Sequence, residues 1–450
     1  MSQNVDVNSV LETIQPELSA GKFAAVVEHV SLASPAQTAD ILERLPERQQ
    51  PVFYRLLPKD RALAVFDILS PRQQSDLIKG LQNREVVEIF DSLDPDDRAL
   101  LLDELPANLS TRLLRGLSGD KRRHTTDLLG YPKGSIGRRM SPHVVSTRET
   151  YTVGQTLARI KSRLEDAETI YTIPVVDDAR RVVGVVGLRQ LLGATPEVMI
   201  RDLMSAVHVA SAYHCAEDAA RLCFELRLLA MPIVDSEGRL LGILTVDDAG
   251  RIIEHAETED TAMQGGVEPL GRPYFSTPVC SLVRSRIVWL AVLAVGAALT
   301  VHVLSIFETT LEQVTALALF VPLLIGTGGN TGNQAATTVT RALALGDVRG
   351  SDLLRVLGRE FTVGLTLGAL LGTLGAVITG VIFGLSIGVT IGLTLLAVCT
   401  IAASIGGVMP MIAKKLGTDP AVFSNPFIST FVDASGLIVY FLIAKAVLGI

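Results

Sequence analysis

The chain has 450 residues, of which 48% are hydrophobic and 19% charged, and its formal net charge at pH 7 is −7. The net negative charge argues against nucleic acid as a partner. The hydrophobic content is typical of a membrane protein, and its distribution supports that class, because residues 361–413 contain no Asp, Glu, Lys or Arg. A stretch of that length is enough for two membrane crossings, so we expect a soluble half followed by a membrane half.

The soluble half is expected to stay in the cytoplasm. The first residues, MSQNVDVNSVLE, lack the basic and apolar segments of a signal peptide. The cysteines Cys215, Cys223, Cys280 and Cys399 lack a metal-type spacing, so we expect reduced thiols.

The first predicted element is a helical repeat. Leucine recurs every twelve residues, mostly followed within two residues by proline or serine, at Leu45, Leu57, Leu69, Leu81, Leu93, Leu105 and Leu117. Proline suits the first helical turn, so LPERQQ, LPKDRA, LSPRQQ, LDPDDR and LPANLS predict successive helix starts. Short repeated units bury their apolar faces by stacking, which predicts an all-α N-terminal solenoid over residues 1–135. An ordinary helical bundle is the alternative.

Four acidic residues crowd one turn of this region, at Asp91, Asp94, Asp96 and Asp97. A solvated acidic loop is the usual interpretation of such a run. A cation-binding face is the sharper alternative.

A second repeat follows. The segment from Ile173, IPVVDDARRVVGVVGLRQLLG, aligns with the segment from Met231, MPIVDSEGRLLGILTVDDAG. Each copy predicts a strand, a polar turn and a second strand, with a helix before it. The repeat resembles a tandem pair of α+β CBS domains over residues 138–250. Such pairs commonly bind adenine nucleotides with an acidic residue on the ribose, but Gln190 stands at that position. ATP is therefore a possible but disfavoured ligand, and a structural, dimer-forming role is the alternative.

A connecting helix is predicted over residues 251–275. Its acidic residues Glu254, Glu257, Glu259 and Asp260 lie within two turns, and like charges at this spacing repel each other. We expect a positive group to relieve them, and a solvated linker is the alternative.

The membrane half, residues 280–450, predicts an α-helical domain with five spans. Apolar runs cover residues 287–307, 314–340, 361–383, 387–413 and 422–444. Arginine and lysine alternate between the intervening segments as the positive-inside rule requires, which predicts a cytoplasmic N-terminus and an external C-terminus. Lys445 is the exception and is expected to snorkel to the far interface.

The second predicted span carries the motif GTGGNTGNQ. Glycines weaken a helix, and Asn330, Asn333 and Gln334 need hydrogen-bonding partners inside a membrane. Freed backbone and amide groups are typical of an ion path. Close helix packing with the amides as interhelical links is the alternative.

The last predicted span carries one carboxylate, Asp433, near its middle. An ionised side chain at that depth costs about 2.5 to 3.5 kcal/mol on insertion scales, so it is expected to face a partner or a wet passage. We interpret Asp433 as a cation site; a protonated Asp inside a helix bundle is the alternative. One carboxylate per chain favours a homodimer that shares a central pore.

The motif PLLIGTGGNTGNQAAT, together with Asn425-Pro426 and the stretch Asp433-Ala-Ser-Gly, resembles the MgtE family of magnesium channels. The resemblance implies a dimeric pore in the plasma (inner) membrane in which the following residues surround hydrated Mg²⁺: Asp433, Asn425, Asp419, Gly329, Asn330, Asn333 and Thr337. It also implies that cytosolic Mg²⁺ closes the pore by bridging acidic faces, to which these residues correspond: Asp94, Asp96, Glu217, Asp248, Glu259 and Asp260.

Several acidic positions of the family are replaced in this chain. Cys215, Arg227, Arg251 and Ala256 stand there instead. An arginine can form a direct salt bridge where an ion would otherwise bridge two acids. We therefore expect weakened or shifted gating by Mg²⁺.

The chemistry of the membrane residues also favours Mg²⁺. This ion keeps much of its water and is usually bound through one or two carboxylates, and Co²⁺, Ni²⁺ or Mn²⁺ are possible companions. A CBS-linked chloride channel would favour a neutral or cationic pore, and a membrane-anchored CBS sensor would not need Asp433. An intramembrane zinc protease is disfavoured because His302 has no HExxH partner, so we expect no enzyme.

Overall fold

The computed structural model describes residues 7–81, 83–270, 274, 277–416 and 425–450, with the backbone alone described at 83–85, 425 and 426. Two units can be distinguished within this part of the chain. The first contains the described residues up to Ala256 together with 274, 277 and 278, and the second contains 257–270 and the described residues from 279 onward.

The first unit begins with ten short helices within residues 7–129: α1 (Val7–Ser19), α2 (Phe23–Val30), α3 (Pro35–Arg44), α4 (Gln50–Arg55), α5 (Lys59–Ile68), α6 (Pro71–Gly80), α7 (Asn83–Ser92), α8 (Pro95–Glu104), α9 (Ala107–Gly116) and α10 (Gly119–Leu129). The repeated leucines lie where helices end. Leu45, Leu69 and Leu105 are buried residues with extended backbone directly after α3, α5 and α8. The next helix begins two residues after Leu57, Leu69, Leu93 and Leu105, which confirms four of the five predicted helix starts, whereas α4 begins only at Gln50, five residues after Leu45.

Two of these helix starts show how the sequence specifies them. The hydroxyls of Ser34 and Ser70 accept hydrogen bonds from the backbone N–H groups of Gln37 and Gln73. The glutamine side chains in turn accept from the backbone N–H groups of the serines, at 2.9 Å in both cases. These reciprocal bonds satisfy N–H groups that a helix start leaves without partners.

The helices pack in alternation along the chain. α3 contacts α5, α4 contacts α6, α6 contacts α8, and α8 contacts α10. Phe53, Phe66 and Phe90 are buried in one continuous apolar cluster. Helices of this series therefore cover the apolar faces of neighbours two positions away in the chain.

The rest of the first unit consists of two copies of one motif. The first contains β1 (Thr147–Arg148), α11 (Val153–Ser162), β2 (Thr172–Val176), β3 (Val182–Gly187) and α12 (Leu188–Gly193), and the second contains β4 (Ala210–Ser211), α13 (Ala216–Glu225), β5 (Ala230–Val234), β6 (Leu240–Thr245) and the start of α14 (Val246–Gln264). In each three-stranded sheet a short parallel strand precedes an antiparallel hairpin. The predicted hairpins are therefore confirmed.

The two copies pair through their hairpin turns. The backbone N–H of Val182 donates to the carbonyl of Gly238 at 3.0 Å, and the N–H of Leu240 donates to the carbonyl of Arg180 at 3.0 Å. Arg180 and Gly238 hold the same position in the repeat. The two hydrogen bonds are therefore equivalent, and they relate the copies by an approximate twofold axis, as expected for two similar modules.

The second unit contains the end of α14 and the helices α15 (Val279–Ile306), α16 (Glu308–Gln313), α17 (Val321–Ala344), α18 (Leu353–Phe383), α19 (Leu385–Lys415) and α20 (Asn425–Leu448). α19 packs against α17, α18 and α20. α18 and α19 are joined by Gly384 alone, whose φ of +97° is readily adopted by glycine.

Four helices of the described residues are long and apolar enough to cross a membrane, namely α15, the helical segment 350–383, α19 and the segment 427–448. The predicted run 314–340 is not one of them, and five spans are not confirmed. Its helix begins only at Val321, after the short helix α16 and a 3₁₀ turn. The glycines and amides of its motif lower the hydropathy of α17, although the helix has 24 residues.

Candidate functional site

Asp433 lies on α20 opposite Gly329 of α17. Its side chain is half-buried, and a Cβ atom added at Gly329 would lie 3.7 Å from the Oδ1 atom of Asp433. The carboxylate therefore faces a position that has no side chain. Ile428 and Val432, buried against Ala336 and Ala402, fix this face of α20.

A second polar pair lies beside the first. The Nδ2 atom of Asn333 donates to the hydroxyl of Ser429 at 3.0 Å. Asn333 lies one helical turn after Gly329, and Ser429 lies one turn before Asp433, so each pair shares a helix face. Two antiparallel helices thus place a carboxylate, a glycine, an amide and a hydroxyl together.

Gly332 allows the two helices to approach closely at this point. A Cβ atom there would lie 2.7 Å from the Cγ2 atom of the buried Ile428 and 3.3 Å from the carbonyl oxygen of Ala402. Small residues at helix contacts are typical of membrane proteins. The glycines of the motif therefore serve packing as well as leaving space at the carboxylate.

The other predicted pore residues lie elsewhere. Asn330, Gln334 and Thr337 are exposed on one face of α17 in the single chain. Asp419 and the side chain of Asn425 lie outside the described residues. Ser429 was missed by the sequence reasoning, and the available signal was its position four residues before Asp433.

A cluster of acidic side chains lies where α8 meets the CBS-like motifs. Asp96 is buried, with 6% of its surface exposed, and its Oδ1 atom has no hydrogen-bond partner within the described part of the chain. Burial, and then repulsion from Asp97, Asp248 and Glu168, holds the pKa of Asp96 well above its ordinary value. Burial also raises the pKa of Asp97 to about 6 and that of Glu168 to about 7.

Arg251 supplies positive charge to this cluster. Its guanidinium donates to Asp248, which also accepts from the hydroxyl of Thr245 at 2.7 Å. The charge of Arg251 opposes the rise in the pKa values of Asp97 and Asp67. One arginine from α14 therefore partly neutralises carboxylates from three helices, α5, α8 and α14.

The remaining predicted sensing residues are dispersed. The Oδ1 atom of Asp94 lies 3.9 Å from the Nδ1 atom of His143. On α13, the Oε1 atom of Glu217 lies 2.7 Å from the Nη2 atom of Arg221. Glu259 and Asp260 lie half-buried on the last turns of α14. Within the described ranges no three His, Cys, Asp or Glu side chains are placed to hold a metal ion together, so Mg²⁺ sensing by these residues stays a prediction.

The acidic face of α14 does meet a positive group, as expected. The Nη1 atom of Arg341, at the end of α17, lies 3.5 Å from the Oε1 atom of Glu257. The two side chains are 57% and 50% exposed, and such pairs contribute at most about 1 kcal/mol. Arg341 therefore reduces the repulsion among the acidic residues of α14, but it contributes little to the stability of the fold.

Gln190, at the position that corresponds to the ribose-binding acid of CBS pairs, has a local structural role. Its Oε1 atom accepts from the backbone N–H of Gly187 at 2.8 Å, and its Nε2 atom donates to the carbonyl of Leu203 at 3.3 Å. The amide thus caps the start of α12. Nucleotide binding at this pair stays a prediction.

Known families match most of this chain. The divalent cation transporter family MgtE matches residues 321–443, the MgtE intracellular N domain matches residues 33–134, and CBS domains match residues 134–197 and 198–254.

Characterised relatives and a solved structure agree with these matches. The magnesium transporters MgtE of Thermus thermophilus and of Bacillus subtilis are 36% and 31% identical, over 71% of this chain and 72% and 71% of theirs. A crystal structure of the cytosolic domain of the Mg²⁺ channel MgtE in complex with ATP is 32% identical. That structure covers 54% of this chain and 99% of its own, with a TM-score of 0.50. The chain belongs to the MgtE family of magnesium transporters.

Proposed function

We propose that this chain is a Mg²⁺-selective channel or transporter that mediates magnesium uptake and is regulated from the cytosol. The observation that carries the proposal is the half-buried carboxylate of Asp433 on an apolar helix, facing Gly329 and flanked by the Asn333–Ser429 pair. Its family consists of transporters, and the chain is not an enzyme. A membrane anchor for a sensor would not need these polar groups at the depth of a span.

The site suits an ion that keeps its water. Mg²⁺ is usually bound through one or two carboxylates and several retained waters. The missing side chain at Gly329 leaves space for such a shell beside Asp433. In a homodimer, the exposed face of α17 with Asn330 and Thr337 would line the path shared by two chains, and Asn425 and Asp419 would complete it toward the cytosolic end.

We include α17 as a fifth span in this proposal. Its 24 residues extend about 36 Å at about 1.5 Å per residue, which exceeds the roughly 30 Å of a bilayer core. Polar residues that line a path face water rather than lipid. The mean hydropathy of such a helix therefore underestimates its ability to span a membrane. An odd number of spans puts the two termini on opposite sides of the inner membrane, and the distribution of arginine and lysine places the N-terminus in the cytoplasm and the C-terminus outside.

The external end of α20 agrees with this orientation. The Nζ atom of Lys445 lies 5.5 Å from the centre of the Phe307 ring, and Phe307 stacks on Phe441 with centroids 4.8 Å apart. A lysine held over an aromatic ring near a helix end fits an interfacial position in lipid. This contact accommodates Lys445, the one positive residue that departs from the positive-inside rule.

We assign residues 1–135 to an N-terminal solenoid, 138–250 to the CBS pair, 251–275 to the connecting helix and 280–450 to the pore domain. The alternating contacts of α3 to α10 support the solenoid. ATP is a possible ligand of the CBS pair because a relative's cytosolic domain was crystallised with it, although Gln190 replaces an acid here.

The acidic cluster supports regulation by charge. Asp96 and Asp248 bring carboxylates of the N domain and the CBS pair together, so a divalent cation would be drawn to this contact. Arg251 already supplies positive charge there through its bond to Asp248. We therefore propose that Mg²⁺ gating in this chain is weaker, or shifted to other concentrations, than in a relative with acids throughout.

The test is Mg²⁺ uptake in cells that lack their own Mg²⁺ importers. We expect the intact chain to restore growth at low Mg²⁺ and Asp433→Ala to abolish it at equal expression. Asp347→Ala removes an exposed carboxylate between α17 and α18 and is the matched control, expected to behave as the intact chain. Rescue by Asp433→Ala at the level of the intact chain would remove Asp433 from the mechanism.

A further inference from the structure

We propose that Ser429 is a positioning residue of the ion path: its hydroxyl holds the Asn333 amide beside the Asp433 carboxylate, where the amide contacts the water shell of the ion. This inference rests on the proposed transport function. It adds a residue, and a hydrogen bond between helices, to the path.

The geometry places the hydroxyl where it can orient the amide. The Ser429 Oγ atom accepts from Asn333 Nδ2 at 3.0 Å and donates to Asn333 Oδ1 at 3.4 Å. These bonds fix the amide plane, while the Oδ1 atom has a second lone pair that can accept from a water molecule. Ser429 therefore sets the direction in which Asn333 presents its acceptor.

The same hydroxyl is close to the space beside the carboxylate. A Cβ atom at Gly329 would lie 3.6 Å from Ser429 Oγ and 3.7 Å from Asp433 Oδ1. One glycine position thus borders both the hydroxyl and the carboxylate. A hydrated ion that enters this space next to Asp433 meets the Ser429–Asn333 pair one helical turn away.

Such a pair can discriminate between ions through their water. Mg²⁺ requires near-ideal octahedral geometry and dehydrates reluctantly, whereas Ca²⁺ accepts a variable shell. A fixed acceptor at one point of the shell favours the ion with the more rigid arrangement of waters. Releasing the amide should therefore reduce both the apparent affinity for Mg²⁺ and the preference for Mg²⁺ over Ca²⁺.

The experiment uses the purified full chain in liposomes, with ion flux followed by an internal divalent-sensitive dye. We expect Ser429→Ala to raise KM for Mg²⁺ about threefold to tenfold, the usual effect of one lost hydrogen bond, and to lower the Mg²⁺-over-Ca²⁺ preference similarly. Ser429→Thr keeps the hydroxyl and should retain most of both. Ser435→Ala is the matched control, because the Ser435 hydroxyl donates to the carbonyl of Phe431 on its own helix at 2.8 Å.

A double-mutant cycle separates positioning from a general effect on the fold. If Ser429 acts through Asn333, then Ser429→Ala should add little to Asn333→Ala, since the two changes remove one interaction. Additive effects, or an unchanged KM and ion preference in Ser429→Ala, would overturn the inference. Absence of Mg²⁺ flux in the intact chain would instead refute the proposed function, so the two failures are distinguishable.

Discussion

At the scale of single residues, the carboxylates of the two units have different surroundings. Asp433 is the lone acid of its helix and faces a glycine. Burial raises the pKa values of Asp96, Asp97 and Glu168, and the nearby charge of Asp248 raises all three further. An isolated acid in an apolar helix suits binding of a passing cation, whereas a crowded set of acids responds to charge and to protons.

Glu168 gives this crowding a measurable pH dependence. Its pKa is raised from 4.5 to about 7 by burial and then by Asp248, Asp94 and Asp247, while a hydrogen bond with Ser141 opposes the rise. The folded chain therefore keeps a proton that the unfolded chain releases near pH 4.5. It follows that Glu168 lowers stability progressively as pH rises from about 4.5 through about 7.

We expect Glu168→Gln to remove this loss of folding stability at high pH. After discounting for the partial exposure of Glu168, a gain of about 1 kcal/mol corresponds to a Tm higher by about 2 to 4 °C at pH 8. The gain should shrink toward pH 5, and scanning calorimetry of the detergent-solubilised full chain measures it. Glu165→Gln changes an exposed acid three residues away and should leave Tm unchanged; an equal Tm for Glu168→Gln and the intact chain at both pH values would contradict the assignment.

At the scale of elements, α17 combines a weak helical sequence with strong packing. Gly328 and Gly332 face α19 and α20, and α17 packs against both helices. Glycine costs about 1 kcal/mol relative to alanine in a helix interior. The contacts that glycine permits offset this cost only where a neighbouring helix comes close.

Two glycines of α17 test this distinction. A Cβ atom at Gly332 meets Ile428 at 2.7 Å, whereas nothing lies within 4 Å of a Cβ atom at Gly326. We expect Gly332→Ala to destabilise the membrane unit by about 1 to 3 kcal/mol through overpacking, with reduced Mg²⁺ flux, and Gly326→Ala to be neutral or to stabilise by up to about 1 kcal/mol. Calorimetry and liposome flux measure both, and equal effects of the two substitutions would show that packing at Gly332 is unimportant.

At the scale of the whole molecule, the N domain and the CBS pair are joined by charge. Arg138 donates to both carboxylate oxygens of Asp103 on α8, at 2.7 and 2.8 Å, and its side chain is 11% exposed. Arg251 supplies a second positive group at the same contact. Permanent cations therefore lie among the carboxylates at this contact.

We expect Arg251→Ala to make this contact dependent on Mg²⁺. Without the guanidinium, Asp248, Asp97 and Asp67 lose positive charge nearby, so amide hydrogen exchange in α8 and the start of α14 should speed up without Mg²⁺ and slow again at millimolar Mg²⁺. Arg251→Lys keeps the charge and should resemble the intact chain, as should Arg201→Ala at an exposed pair. Identical exchange in Arg251→Ala and the intact chain, with and without Mg²⁺, would rule out this role.

The order of the parts and most of the local structure could be predicted from the amino-acid sequence alone. The twelve-residue leucine step marked helix ends, and the repeated Pro174 and Pro232 segments predicted two hairpins, because caps, turns and strand alternation depend on residues close together in the chain. The run 361–413 predicted two long apolar helices for the same reason.

Which distant residues contact each other could not be predicted in this way, because it depends on how the helices and strands pack. Asn333 and Ser429 are 96 positions apart, and Arg251 reaches a cluster that includes acids of α8, more than a hundred residues earlier. Helix packing brings such residues together, and the sequence around each residue does not indicate which distant residue it will contact. The packing of α17 depends on distant residues in the same way, since its glycines bring it against α19 and α20.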